Sequence, residues 1–160
     1  MFCFQCEQTA KGTGCTEITS CGKDPVTANL QDVLLHLAKG ISQYAHRARG
    51  FGVVDSDIDR FVVEALFTTV TNVNFDPERV RKDIFKATAV REDARKRYEA
   101  AATENGKQPE QLGGPAQFVP AETIDELVVQ GDTISIAKVL EVKGHDIGGL
   151  EELVTYGVKG

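Results

Sequence analysis

Hydrophobic residues recur at three- and four-residue steps through much of residues 27–104, and this periodicity predicts three helices. The inward positions of the first helix are Leu30, Val33, Leu34, Leu37, Ala38, Ile41, Ala45 and Ala48. The candidate starts of the three helices are, in order, Thr27 or Asn29, Asp55 or Ser56, and Asp76-Pro77. The third helix is expected to extend to about residue 104, so this part of the chain should form a three-helix bundle.

The pattern changes over residues 103–120, where Gly and Pro are frequent and a linker is expected. Thr123 and Glu126 then form a capping-box pattern that opens a short helix ending near Gly131. Residues 133–143 fit a helix or a strand equally well. A last helix, capped by Asp146, is expected to turn these residues inward: Ile147, Leu150, Leu153 and Val154.

The bulk composition is that of a folded protein with one domain or two small subdomains: 160 residues, 41% hydrophobic and 26% charged. The net charge of −6 argues against general nucleic-acid binding and would suit a basic redox partner. No apolar run of about 18 residues is present, so no membrane span is expected. The N-terminus lacks the pattern of a signal peptide, and we therefore expect a cytoplasmic protein, in which disulfides are rare.

The four cysteines fall within the first 21 residues, at the spacing C-x2-C-x8-C-x5-C. Four thiolates are the ligand set of a [4Fe-4S] or [2Fe-2S] cluster, and thiolate is the soft ligand that such iron requires. A structural zinc site also uses four cysteines, but usually as two C-x2-C pairs, and only one is present. Two disulfides would suit a secreted domain. Both alternatives stay open, and an iron–sulfur cluster is favoured.

Aromatic and basic residues accompany the cysteines. Phe2 and Phe4 flank Cys3 and are expected to anchor the chain end or shield a cluster. Lys11 and Lys23 are interpreted as solvated side chains, with stabilisation of a reduced cluster as the alternative. The histidines lack a metal-ligand partner at helical spacing and are interpreted as ordinary residues: His36, His46 and His145. No catalytic motif is recognised in the chain.

The opening MFCFQCEQTAKGTGC, with Cys21-Gly22-Lys23, resembles the start of the hybrid cluster proteins, also called prismane proteins or hydroxylamine reductases. Further similar stretches follow in the same order: TANLQDVL (27–34), DRFVVEALFTTVTNVNFDP (59–77), GGPAQFVP (113–120) and LEELVTYGVKG (150–160). The resemblance implies that Cys3, Cys6, Cys15 and Cys21 ligate a [4Fe-4S] cluster, with a [2Fe-2S] cluster as the second choice.

The resemblance also implies an all-α N-terminal domain of two small helical bundles. The expected organisation is a Cys-rich cluster loop (1–25), a three-helix bundle (26–104), a linker (105–120) and the truncated start of a second bundle (121–160). Members of the family are longer, and their further α/β domains hold a hybrid iron–sulfur–oxygen cluster. No cysteine follows Cys21, so no catalytic residue is expected in this chain, which alone should be inactive.

The function that follows from the resemblance is electron transfer within a hybrid-cluster oxidoreductase. The full-length protein would reduce hydroxylamine to ammonia-level products, with nitric oxide as a further candidate substrate. Its expected partners are an electron-donor reductase and the remaining domains of the same protein, with no nucleic acid and no membrane. A non-enzymatic iron–sulfur sensor of redox state or nitric oxide, and a structural zinc module, are the alternative functions.

Overall fold

The fold is all-α, as predicted. The computed structural model describes Cys3, residues 14–71 and residues 74–159, without the side chains of residues 156 and 159. The helices are α1 (Pro25–Arg49), α2 (Ser56–Val70), α3 (Pro77–Glu104), α4 (Ile124–Thr133) and α5 (Ile136–Lys159), with a short 3-10 helix at Gly114–Gln117. Extended pairing within these residues is limited to one isolated β-bridge. No helix in the described ranges is long and apolar enough to cross a membrane.

Aspartates cap the first three helices. Asp55 and Asp76 cap α2 and α3, which confirms the predicted starts. The prediction for α1 is wrong, because Asp24 is its N-cap and accepts a hydrogen bond from the Thr27 backbone N–H at 2.6 Å. Thr27 and Asn29 lie inside the helix and are buried. Their polar side chains are used for contacts with neighbouring segments rather than for capping.

The central element is α1, which packs against α2, α3, α4 and the 3-10 helix. Its apolar residues form one core cluster with those of α2, α3 and α4. The fully buried members, none more than 2% exposed, include Leu30, Val33, Leu34, Leu37, Ala38, Ile41, Val80, Ile84, Ala87, Ala94 and Leu127. The predicted stripes of the first three helices are therefore the core-facing surfaces.

The segment expected to be a linker is packed against the helices. The buried Arg91 side chain of α3 donates hydrogen bonds to the carbonyl oxygens of Pro115, at 3.3 Å, and Phe118. The Phe118 ring meets His36 of α1 edge-on, with centroids 4.9 Å apart. These contacts hold residues 113–120 on the surface of the core. The boundaries of the predicted domains stay a prediction.

The C-terminal helices follow the sequence pattern only in part. The Thr123–Glu126 capping box is present, and residues 136–143 are helical. Gly144, at φ 80° and ψ 165°, then kinks α5. The expected inward residues of its second half are instead 59–68% exposed: Ile147, Leu150, Leu153 and Val154. The prediction is wrong because this half packs through Gly148 against Leu140, which leaves the apolar stripe outward.

Close approach of α4 to α1 depends on a glycine, and we predict that Gly131→Ala destabilises the fold. A Cβ at this position would overlap the Asn29 backbone carbonyl of α1. Two helix backbones cannot move apart without disturbing the core, so the free energy of unfolding should fall by about 1–3 kcal/mol. Urea denaturation followed by circular dichroism measures the change.

The matched control is Gly149→Ala, since a Cβ there meets no atom within 4 Å. It should leave stability unchanged or raise it by about 0.5–1 kcal/mol, because alanine favours the helix. Equal destabilisation by both substitutions would contradict the contact assigned to Gly131.

The half-buried His36 should titrate well below an ordinary histidine. Burial, together with the charges of Lys39 and Arg91, lowers its pKa from 6.5 to about 4. The unfolded chain therefore binds more protons here between these pH values, and the group's contribution to the free energy of unfolding falls as pH decreases from about 6.5 to about 4. Titration of the imidazole resonance by NMR, assigned through His36→Gln, measures the midpoint. A midpoint near 6.5 would contradict the described packing.

Candidate metal centre

The structure pairs two of the four predicted cluster ligands. Cys3 and Cys15 form an antiparallel bridge, in which the Cys3 N–H donates to the Cys15 carbonyl at 2.9 Å and the reverse bond measures 2.7 Å. Residues in such a hydrogen-bonded pair present their side chains on the same face. Both cysteines are buried, at 9% and 5% exposure. The predicted residues outside the described ranges are Phe2, Phe4, Cys6 and Lys11.

The third described cysteine, Cys21, lies on a tight turn formed by residues 19–23. The Gly22 N–H donates to the Thr19 carbonyl at 3.0 Å, and the Thr19 N–H donates to the Lys23 carbonyl at 3.3 Å. Gly22 has a φ of 88°, which residues with a Cβ adopt at a cost, so glycine suits this position. The turn leads directly into Asp24, the cap of α1.

Neighbouring groups in the same turn lower the pKa of the Cys21 thiol. Burial raises its pKa, but this effect is outweighed by the hydrogen bond to Thr19, by the Lys23 backbone N–H and by the Lys23 charge. The pKa of Cys21 is therefore below that of an ordinary thiol, which favours the thiolate that metals bind.

The Thr19 hydroxyl is within hydrogen-bond distance of two groups. Its Oγ1 lies 3.1 Å from the Cys21 Sγ and 2.9 Å from the Lys23 carbonyl oxygen. When the hydroxyl turns to the sulfur, the Thr19 N–H still donates to that carbonyl. The turn therefore donates a hydrogen bond to a thiolate without leaving a buried acceptor unpaired.

Lys23 is buried, so its interpretation as a solvated side chain is wrong. Only 2% of its surface is exposed, and its Nζ donates to the Thr69 carbonyl oxygen at 3.4 Å. The last turn of α2 leaves backbone carbonyls without intrahelical partners, and Lys23 reaches one of them. The sequence signal was its place between the last cysteine and the α1 cap, where the loop must meet the helical core.

Buried polar side chains at the start of α1 were also missed. Gln31 donates to the carbonyls of Thr68 and Asn74, both at 3.3 Å. Thr27 donates to the Phe75 carbonyl at 3.3 Å, and Asn29 donates to a carbonyl of α4. These bonds fix the end of α2 and the start of α3 beside the cysteine turn.

The donor chemistry of the region fits an iron–sulfur cluster. Its donors are thiols, two of them side by side in a buried pair and the third held by a hydrogen bond. Within the described part of the chain, no group of three or more His, Cys, Asp or Glu side chains is close enough to hold a metal ion. The described residues thus assemble a pair of donors rather than a complete ligand set.

Together these features define a class of protein: an all-α chain whose cysteine-rich N-terminal segment is joined to a packed helical core. A family model described as the Prismane/CO dehydrogenase family matches residues 1–160. The chain therefore belongs to the Prismane/CO dehydrogenase family, which confirms the resemblance found in the sequence.

Similar curated proteins are named hydroxylamine reductase. The relative from Rhodospirillum rubrum is 49% identical over 160 residues, which is 100% of this chain and 29% of that protein. The relative from Acidithiobacillus ferrooxidans is 49% identical over 164 residues, and the one from Methanocella arvoryzae is 42% identical over 160 residues. The whole chain is covered in both, and it spans 29% of each relative's length.

We predict that Thr19→Val raises the pKa of Cys21 in the metal-free chain, because valine keeps the shape but cannot donate to the thiolate. Alkylation of Cys21 by iodoacetamide, followed by peptide mass spectrometry across a pH series, reports the change. The apparent midpoint should move to higher pH. Thr16→Val, at an exposed loop position, is the control and should leave the profile unchanged. Identical profiles for both variants would contradict the role of Thr19.

Proposed function

We propose that this chain holds a [4Fe-4S] cluster through Cys3, Cys6, Cys15 and Cys21 and transfers electrons through it. The backbone pairing of Cys3 with Cys15 in a buried position is the observation that carries the proposal. A loop rich in polar and small residues has few apolar contacts with which to bury two cysteines. Metal ligation supplies a reason for bringing them together.

The residues of the loop would each have a defined part in holding the cluster. Cys3 and Cys15 present their sulfurs from one buried face, which limits access of water. The Thr19 hydroxyl lies 3.1 Å from the Cys21 sulfur and would donate to it in the thiolate form, and Gly22 allows the turn that positions Cys21. When bound, such a cluster supplies one-electron transfer at a potential set by exposure and by hydrogen bonds to its sulfurs.

We further propose that the chain acts as the electron-transfer domain of a cytoplasmic protein that reduces hydroxylamine. The family and the relatives named hydroxylamine reductase support this proposal. Reduction of hydroxylamine to ammonia and water breaks the N–O bond and consumes a pair of electrons and a pair of protons. Because this chain has no cysteine after Cys21 to ligate a second cluster, we propose that it relays electrons from a donor reductase and does not itself reduce the substrate.

We predict that the chain, purified without air, holds about four iron and four sulfide and gives an S = 1/2 EPR signal after dithionite reduction. Cys15→Ser should lose or convert the cluster and increase hydrogen exchange in residues 14–24, because a central ligand is removed. Thr16→Val leaves all four thiols in place and should retain the full iron and sulfide content.

Three outcomes would contradict the proposal. One zinc per chain without iron would indicate a structural zinc module. A chain that takes up neither metal would remove the redox role altogether. Cluster content and hydrogen exchange unchanged by Cys15→Ser would exclude that thiol as a ligand.

A further inference from the structure

Lys23 is an unusual residue to find at the base of the cysteine loop. Lysine is almost never fully buried unless it is paired, yet this side chain is 2% exposed. Within the described residues, its side chain donates to the Thr69 backbone carbonyl at 3.4 Å, which is long for a bond from nitrogen to oxygen. No carboxylate in the described ranges forms a salt bridge with it. A charge that costs desolvation energy is therefore held without a carboxylate partner among these residues.

The position of Lys23 is fixed from both ends. Its backbone carbonyl accepts bonds from the N–H and the hydroxyl of Thr19, the same hydroxyl that contacts the Cys21 sulfur. Its side chain reaches the last turn of α2, where the helix dipole favours a positive charge. Lys23 thus joins the cysteine turn to α2, because its backbone is bonded within the turn and its ammonium is bonded to the helix.

Capping of α2 explains only part of this arrangement. A neighbouring carbonyl of the same turn, that of Thr68, is bonded by the neutral amide of Gln31. A neutral donor is therefore sufficient for such a carbonyl in this fold. An ammonium has three N–H donors, and the carbonyl of Thr69 uses one of them. A charged donor is favoured over a neutral one when a negative group lies nearby, and Cys21 is two residues away along the chain.

We propose that Lys23 is a fixed positive charge that stabilises the reduced state of the cluster and so raises its midpoint potential. This inference rests on the function proposed above. Reduction adds one electron, and hence one negative charge, to a cluster that its thiolates already make anionic. A buried cation nearby favours the more negative state, and the low dielectric strengthens the interaction. Lys23 would act on the cluster from outside its ligand set.

The test compares the reconstituted chain with Lys23→Met, Lys23→Gln and Lys23→Arg, by redox titration followed by EPR. The two neutral variants should have a lower midpoint potential than the wild-type chain, and Lys23→Arg should retain it. The control is Lys96→Met, which makes the same change in net charge. Lys96 is exposed and lies about 30 Å along α3 from Asp76, the N-cap of that helix. Its potential should equal that of the wild-type chain.

A second readout separates electrostatics from folding. Thermal unfolding of the metal-free variants reports how much the hydrogen bond from residue 23 to α2 contributes to stability. Lys23→Gln keeps an N–H donor for the Thr69 carbonyl but removes the charge. The shift in potential should also persist at high salt, since a buried charge is screened little. A change in thermal stability alone, with the potential unchanged in both neutral variants, would overturn the inference.

Loss of the cluster from some variants would also test the inference. Loss from both neutral variants, but not from Lys23→Arg, would support a requirement for positive charge at this position. Loss from all three would overturn the inference, because only the shape of lysine would then matter. A wild-type chain that binds no iron and sulfide would reject the proposed function itself, and the inference with it.

Discussion

The burial of α1 on almost every side is the constraint on which the rest of this structure depends. A helix surrounded by α2, α3, α4 and the 3-10 helix must pack against apolar side chains and also form hydrogen bonds with polar groups of its neighbours. Its middle is apolar and fills the core. Its first turns carry Thr27, Asn29 and Gln31, whose side chains bond backbone carbonyls of the surrounding segments. These hydrogen bonds are partly buried, so a missing partner would cost at most about 1–3 kcal/mol each.

The position of the cysteine turn, residues 19–23, depends on the packing of α1. Residues 19–23 close on themselves through Thr19 and pass directly into the Asp24 cap of α1. The loop has little apolar material of its own, and its Ile18 side chain is 74% exposed. Its order within the described residues therefore comes from backbone bonds, from Lys23 and from the Cys3–Cys15 pair. A loop of this kind gains stability when its thiols bind a metal centre, so metal binding and folding are linked.

Hydrophobic periodicity predicted the helices that have one buried face. The predictions failed at the start of α1, which has both polar and apolar neighbours, and in the second half of α5. The apolar stripe and Asp-Pro start of α3 were sufficient to find it. The cap of α1 was misplaced because Thr27 and Asn29 are typical caps, and only the packing shows that neighbouring carbonyls use them. The second half of α5 has a clear stripe, yet the Gly144 kink turns it outward. The cysteine ligands inferred from spacing and resemblance stay a prediction. The burial of Lys23 was missed because it depends on contact with the distant α2, and its place between Cys21 and the α1 cap is only a weak signal.

The charge of Lys23 is expected to have opposite effects on the stability of the loop in its metal-free and cluster-bound states. Among the described residues the ammonium is bonded to one carbonyl, and without a metal centre the desolvation of such a charge exceeds what one long hydrogen bond returns, which opposes folding. With an anionic thiolate cluster in the loop, the same charge gains a counter-charge in a medium of low dielectric. If the loop holds such a cluster, Lys23 would therefore stabilise the cluster-bound chain relative to the metal-free chain. On the proposed function, the buried lysine would therefore link closure of the loop to binding of the cluster.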